Sequence, residues 1–324
     1  MELTEIKDAF GAYYINGGQT MKQILSLLSQ GLVTPGICTP IKTDDTVFRL
    51  SELSTGSMVQ AFQKGWTPKN EVAFLPNELR LYKLKTDLEL CPDDIEATWL
   101  GFLAAEGLEK KAYPLIRFLI EAPNSGIISR INADMELNAY GKGVYALPTP
   151  GTAGTSATSM DGIIHQLQAG IDAETMNSVN LGTLTVANIF DKVEEFVDEI
   201  SAVYQSQQMQ ICMSPKWLMK YKRDKRLAGF YNISSDSEIH DTIDFTNHKL
   251  IGLPCLNDTD TFFATPKSNL FHLTKKGNNK SNIKVEEYRR TVSLMCDWWE
   301  GLGFGLDGAV WTNLQKTPTP PVGG

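Results

Sequence analysis

The sequence predicts an α+β protein, and three observations predict it. Ile189, Val193, Phe196, Val197, Ile200, Val203 and Tyr204 lie on one stripe of a 3.6-residue repeat, the pattern of an amphipathic helix across 185–208. Residues 207–213 then alternate like a half-buried strand and run into Ser214-Pro215, an N-cap residue followed by Pro at the first helical position. Beyond residue 249 the pattern changes to short strands, with a long alternating stretch from Asn282 to Cys296. A helix, a strand and a helix in succession, followed by many strands, imply a sheet with helices packed on it.

Composition bounds the reading. The chain has 324 residues, 42% hydrophobic and 21% charged, which is ordinary for a folded protein and long enough for about two domains. Its formal charge of −8 argues against a protein that coats nucleic acid with a basic surface, though not against one that encloses it. Cys38, Cys91, Cys212, Cys255 and Cys296 are scattered, with no metal-ligand or redox spacing, so buried thiols in a reducing cytosol are expected. The start, Met1 to Glu5, lacks a basic region before an apolar run, and no signal peptide is expected. The best apolar run, Leu115 to Ala122, is short and carries Arg117 and Glu121, so no membrane span is expected.

Element by element, residues 1–36 read as an N-terminal arm. Met21, Ile24, Leu25 and Leu28 have helical spacing, and Thr34-Pro35-Gly36 breaks the chain after them. Residues 37–78 read as an extended two-stranded excursion with little core. Its extended pieces lie at Thr46–Leu50 and Glu71–Leu75, and the loop between them is long enough to be functional or to reach a neighbour. Pro92-Asp93-Asp94 starts an interrupted helix over 93–122, with acids at its positive end. A second helical run covers Ile127–Tyr140, ended by Gly141-Lys142-Gly143 as a C-cap. Residues 146–160 are small, polar and uncharged, a loop or a domain boundary. Asn188 with Asp191 resembles a capping box at the head of the next helix. That helix bears Asp191, Glu194, Glu195, Asp198 and Glu199 against Lys192 alone. The following one bears Lys216, Lys220, Lys222, Arg223, Lys225 and Arg226 against Asp224. Leu250-Ile251, Thr261–Ala264, Leu270–Leu273 and a final Ala309–Trp311 are strand candidates.

No motif for chemistry survives inspection. Gly303-Phe304-Gly305-Leu306-Asp307-Gly308 matches the spacing of a dinucleotide loop, but no helix pattern follows it. A glycine-kinked strand beside Trp298 and Trp299 explains it better. Glu136 stands where a phosphate-binding loop ending at Gly141-Lys142-Gly143 needs its first glycine. His165, His240, His248 and His272 form no metal-ligand pair, and a surface loop is expected around His240 and His248. Asp258-Thr259-Asp260 lacks the later ligands of a calcium loop, and Gly154–Thr158 lacks the last glycine of a nucleophile elbow. No catalytic residue, cofactor site or metal site is expected. The basic helix is the best candidate for phosphates; the other reading is a solvated face or a partner for an acidic surface on this or another copy.

Several stretches carry a family resemblance. Ser159-Met160-Asp161-Gly162-Ile163 follows the small-residue loop, and Ile211–Trp217 is a strand running into a Ser-Pro helix. Leu250–Cys255, Ala264–Leu270, Glu287-Tyr288-Arg289-Arg290, Gly303-Phe304-Gly305 and Ala309–Trp311 complete the set. Their order resembles the major capsid proteins of tailed bacteriophages, the Hong Kong 97-type fold, most of all those of phages infecting Bacteroidetes. The resemblance implies an arm at 1–36, an extended β-hairpin loop at 37–78, and a spine helix with the first part of a peripheral domain at 79–147. It implies an axial domain at 148–260, return strands of the peripheral domain at 261–315 and a flexible tail at 316–324. It further implies a non-enzymatic subunit, made in the host bacterial cytoplasm, whose hexamers and pentamers form the icosahedral shell of a virion. That shell would enclose double-stranded DNA without reading its sequence, with portal and scaffolding or decoration proteins as partners and no membrane. An encapsulin-like compartment around an enzyme cargo and a soluble α/β enzyme with scattered site residues are the alternatives.

Overall fold

The computed structural model describes residues 32–55, 59–69, 72–90, 127–227, 242–276, 282–288 and 291–318. The expected helix over 93–122, the arm before residue 32, Cys91 and His240 lie outside the described residues.

In chain order the elements are α1 (Val33–Ile37), β1 (Thr39–Thr43), β2 (Val47–Thr55), β3 (Val72–Arg80), β4 (Tyr82–Leu90), α2 (Ile127–Asp134) and a π-helical turn (Met135–Ala139). There follow α3 (Ile163–Asp172), β5 (Asn177–Ser178), α4 (Ile189–Asp198), α5 (Ala202–Gln205), β6 (Met209–Met213) and α6 (Pro215–Leu227). The strands β7 (Lys249–Gly252), β8 (Phe263–Pro266), β9 (Leu270–Lys275), β10 (Asn282–Tyr288), β11 (Thr291–Phe304) and β12 (Trp311–Thr312) complete the fold.

The strands form two five-stranded sheets and a separate ribbon of β2 and β3. In the first sheet β11 is the organiser. β4 pairs along Val292–Glu300, while β10 pairs with the first half of β11 and β9 with Glu300–Phe304, all antiparallel. β1 adds parallel to β9. The second sheet has the order β5-β12-β8-β6-β7. One core cluster lies between the sheets and joins them, since Leu84, Leu270, Leu302 and Phe304 meet Cys212, Phe263 and Val310 there. A second cluster packs α4 and α6 on the other face of the second sheet. The two-residue period of a strand sorts the side chains: Met209, Ile211 and Met213 join the helical cluster, whereas Cys212 between them joins the shared core.

Several expectations change. All five residues of β6 are buried. The strand is therefore not half-buried but central, covered on both faces, and its alternation sorts two apolar layers rather than inside from outside. The stripe over 185–208 is two helices. The backbone turns extended at Ser201, whose carbonyl then accepts from Tyr204 N at 2.8 Å and Gln205 N at 3.1 Å, and Val203 is left 70% exposed. Asn188 makes no capping box. Its Oδ1 accepts from Thr185 N at 2.7 Å, and Asp224 on α6 instead accepts from Phe190 N at 3.1 Å at the head of α4. The alternating stretch from Asn282 to Cys296 is not one strand but an antiparallel hairpin, β10 and β11, with Tyr288 opposite Thr291. The last strand is Trp311–Thr312, preceded by a short 3-10 turn at Asp307–Ala309. Thr34-Pro35-Gly36 forms the single turn α1 rather than a break, because Glu136 holds Thr34. His248 is not on a surface loop; it is 1% exposed, and its Nδ1 accepts from Met209 N at 3.3 Å.

Gly141 proves to be more than a C-cap. A Cβ there would lie 1.9 Å from the Cys255 carbonyl oxygen, so the glycine lets the end of the π-helical turn touch the loop at Cys255. At Gly36 the same added carbon meets nothing. Gly141→Ala is expected to lose about 3 kcal/mol through overpacking, and Gly36→Ala less than about 0.5 kcal/mol. Urea denaturation of the two variants beside wild type checks the contrast.

Candidate functional site

Three arrangements stand out: a buried polar centre, a docked N-terminal segment, and outward-facing surfaces. The polar centre is built on Glu300 of β11, 7% exposed in the core region between the sheets. The strand Trp298–Phe304 is otherwise apolar or glycine, so a carboxylate here must find donors nearby. It finds three. Glu300 Oε1 accepts from Tyr140 Oη at 2.5 Å and from His272 Nε2 at 2.6 Å, and Oε2 accepts from Trp298 Nε1 at 3.0 Å. Burial alone would raise the Glu300 carboxyl, but the bonds from His272, Tyr140 and Trp298 outweigh it and hold the carboxyl below its ordinary 4.5. An ionised carboxylate only accepts, so His272 carries a proton on Nε2. Burial and the neighbouring Glu300 push the Tyr140 hydroxyl well up. These bonds tie four side chains, Glu300, Tyr140, His272 and Trp298, to one another.

The segment 32–38 docks on a second carboxylate. Glu136 lies in the π-helical turn, where the wider ring carries it inward. Its Oε1 accepts from Thr34 Oγ1 at 2.5 Å and from Thr34 N at 3.2 Å. Burial raises the Glu136 carboxyl despite these bonds. Cys38 donates to the Thr34 carbonyl at 3.1 Å, which closes the turn. Cys38, Cys212, Cys255 and Cys296 are free and buried, and burial pushes each thiol up, Cys255 to about 12 and Cys296 to about 11. Such thiols are inert.

Two surfaces face outward. The ribbon of β2 and β3 pairs in register from Val47 opposite Arg80 to Thr55 opposite Val72, about 30 Å at ~3.3 Å per residue. Its base is anchored through Leu79, Phe48 and Leu50 packed with Leu81, Leu273 and Trp299. At the far end residues 59–69 are all exposed, with Val59 at 88%, Phe62 at 93% and Trp66 at 92%. That loop is shaped by its own bonds, Gln60 Nε2 to the Thr67 carbonyl at 2.8 Å and Lys69 Nζ to the Val59 carbonyl at 3.2 Å. Two exposed aromatics within one loop are the kind of surface that contact sites use. The second surface is formed by α4 and α6. Trp217 of α6 is pinned by its Nε1 to Asp260 at 2.7 Å, with Lys220 Nζ 3.6 Å from the ring centroid. Burial and the like charges of Asp191, Asp244 and Asp198 raise the Glu194 carboxyl.

Among the described residues no group of three or more His, Cys, Asp or Glu could hold a metal ion. A groove of about 340 Å³ at the ribbon base is lined by Asn77, Tyr82, Asp161, Gln166 and Asp307. Its polar groups are bonded to the fold itself: Asn77 Nδ2 to the Phe304 carbonyl at 2.9 Å, Gln166 Nε2 to the Leu302 carbonyl at 2.9 Å, and Tyr82 Oη to Asp161. The glycines from Gly303 onward do not form a nucleotide loop. Gly303 lies within β11, and a Cβ there would lie 2.4 Å from Leu79 Cδ2. Asp260, from the abandoned calcium pattern, serves Trp217 instead. Sequence reasoning named Glu136 only as the residue that breaks a phosphate-loop pattern, and did not single out Glu300, Phe62 or Trp66. For Glu300 a signal existed, one carboxylate in a run of Trp, Gly, Leu and Phe.

No family model matches the sequence, and no curated protein does. Solved structures do match. The chain overlays a chain of the satellite phage P4 procapsid including size determination (Sid) protein with TM-score 0.55 and 11% identity, covering 91% of this chain and 99% of that one. A capsid chain of a native GTA particle gives 0.49 and 12%, covering 87% and 89%. A virus-like particle from Pyrococcus furiosus gives 0.43 and 10%, covering 90% and 96%. The fold is thus that of phage capsid proteins, the mixed helix and sheet architecture of the Hong Kong 97 type.

A depressed carboxyl contributes stability that is present above its unfolded value and lost as pH falls through its folded one. Glu300 therefore stabilises the fold above about pH 4.5 and ceases to do so as acid protonates it below that. Glu136, raised, has the opposite sign. Glu300→Gln is expected to cost about 3 kcal/mol at neutral pH and to flatten the loss of stability below pH 4.5. Urea titrations across that range check both.

Proposed function

We propose that this chain is the major capsid protein of a tailed bacteriophage. The observation that carries the reading is the phage-capsid fold over 91% of the chain. The anchored ribbon with an aromatic tip supports it. A two-stranded ribbon of this length has too little core to need Phe62 and Trp66 for its own folding. On a neighbouring subunit each docked aromatic would remove about 150–250 Å² from water, a gross gain of roughly 4–6 kcal/mol that ordering costs reduce.

In this reading the ribbon within 37–78 lies over a neighbour. Residues 79–147 and 261–315 form the peripheral domain and 148–260 the axial domain, with an arm before them and a tail after. Hexamers and pentamers close an icosahedral shell around double-stranded DNA, formed in the bacterial cytoplasm and carried in the virion. Portal and scaffolding or decoration proteins join it, and the subunit has no enzymatic role. A host among Bacteroidetes rests on the sequence resemblance alone.

Negative-stain microscopy of the purified chain, alone and with phage partners, is expected to show shells or capsomers. A strictly monomeric species in every case would overturn the reading, and shells holding an enzyme cargo without a genome would replace it with a cargo compartment. The double variant Phe62→Ala/Trp66→Ala is expected to assemble at least tenfold less readily. Its thermal stability should stay within about 0.5 kcal/mol of wild type, as for other exposed changes.

A further inference from the structure

Two helical faces of opposite sign adjoin on the outer layer of the second sheet. α4 exposes Asp191, Glu195, Asp198 and Glu199, and α6 exposes Lys216, Met219, Arg223 and Arg226. Asp191, Glu195 and Asp198, like Lys216, Met219, Arg223 and Arg226, recur at three- and four-residue steps and so form one stripe on each helix, with Glu199 at the C-cap of α4. Asp191 to Asp198 and Lys216 to Arg223 are both seven residues apart, about 10 Å at ~1.5 Å per residue, so the two stripes have the same charge pitch.

Of these charges, the ion pairs within the described residues take up Glu195 alone. Lys192 meets Glu195 at 2.5 Å and Lys225 meets Asp244 at 2.7 Å. Asp191, Asp198, Lys216 and Arg223 make no ion pair among the described residues. The inner sides of the helices meanwhile lock their spacing, with Phe190 and Tyr221 ring centroids 5.5 Å apart and Asp224 bonded to Phe190 N.

We propose that the acidic stripe of α4 on one copy docks on the basic stripe of α6 on the next, a head-to-tail contact repeated around each capsomer. The proposal rests on the shell reading above. The occupant is a second copy because that copy carries the complement at the matching pitch. A nucleic-acid backbone laid along α6 would run beside the carboxylates of α4, and the chain as a whole has charge −8. A surface that meets a different surface on the next copy builds rings where its rotation closes and filaments where it does not, and opposed charges fix its orientation.

The test is charge exchange at exposed positions. Asp191→Lys/Asp198→Lys and Lys216→Glu/Arg223→Glu each put like charges face to face. Each is expected to raise the concentration needed for assembly at least tenfold, with melting unchanged. The fourfold variant carrying all these changes restores the complement and is expected to assemble. Mixing the two double variants permits only alternating copies, so six-membered rings return and five-membered rings do not. The neutral variants Asp191→Asn/Asp198→Asn and Lys216→Gln/Arg223→Gln, which are milder to fold, are expected to assemble part-way between.

Double variants that assemble like wild type overturn the proposal while leaving the shell reading intact. So does a well-folded fourfold variant that stays unassembled, a mixture that yields only closed dimers, or shells of Lys216→Glu/Arg223→Glu that form normally but hold no DNA. Wild type that never assembles overturns the shell reading and the docking with it.

Discussion

Burying one carboxylate sets the terms for much of this structure. Glu300 is largely withdrawn from water, and each missing donor there would cost about 1–3 kcal/mol. The donors arrive from distant segments: Tyr140 after the π-helical turn, His272 on β9 and Trp298 on β11 itself. Only one register satisfies all of them. With Leu302 opposite His272, the imidazole lies on the same side of the sheet as Glu300, two residues from Leu302 along β11. The same register places Tyr82 opposite Glu300 on the other edge of β11 and brings the hydroxyl of Tyr82 to Asp161 at the start of α3. A polar centre of this kind costs more to break than it adds when intact, so its effect is to select one arrangement among many apolar ones.

What was legible in the sequence followed from period. The α+β class, the Ser-Pro helix, the second helical run and the extended ribbon all came from spacing and turn residues, and the structure has them. Where spacing failed, tertiary context had overridden it. β6 alternates because its two faces meet two apolar layers, which a sequence cannot distinguish from one wet face. The break at Ser201 is set by a backbone turn and leaves the apolar stripe nearly unmarked. The cap of α4 comes from Asp224, thirty-four residues away, so no local motif could announce it. Phe62 and Trp66 were unreadable for the opposite reason: the loop has no period, and an exposed aromatic looks the same in sequence as a buried one.

The two sheets are not separate folding units. Cys212, Phe263 and Val310 from one sheet close the same core as Leu84, Leu270 and Phe304 from the other. Gly141 and Gly162 permit the backbone contacts that hold this junction, each with a carbonyl carbon or oxygen under 3 Å from where a Cβ would stand. Through this junction a force on the outer layer of α4 and α6 passes by packed side chains to the sheet that anchors the ribbon, as the proposed shell role would require.

β11 also imposes an order in time. It is the shared neighbour of β4, β9 and β10, yet 200 residues separate the last residue of β4 from its first. At about 5–20 residues per second a ribosome needs roughly 10–40 s to cover that distance. Throughout, β4 waits with an unpaired edge, the kind of surface that recruits foreign strands. Dense polysomes would set many such edges side by side, so the demand for a holding chaperone should rise with expression rate rather than with temperature alone. A subunit made in large numbers in one short burst would then be limited in yield by how fast its β11 emerges.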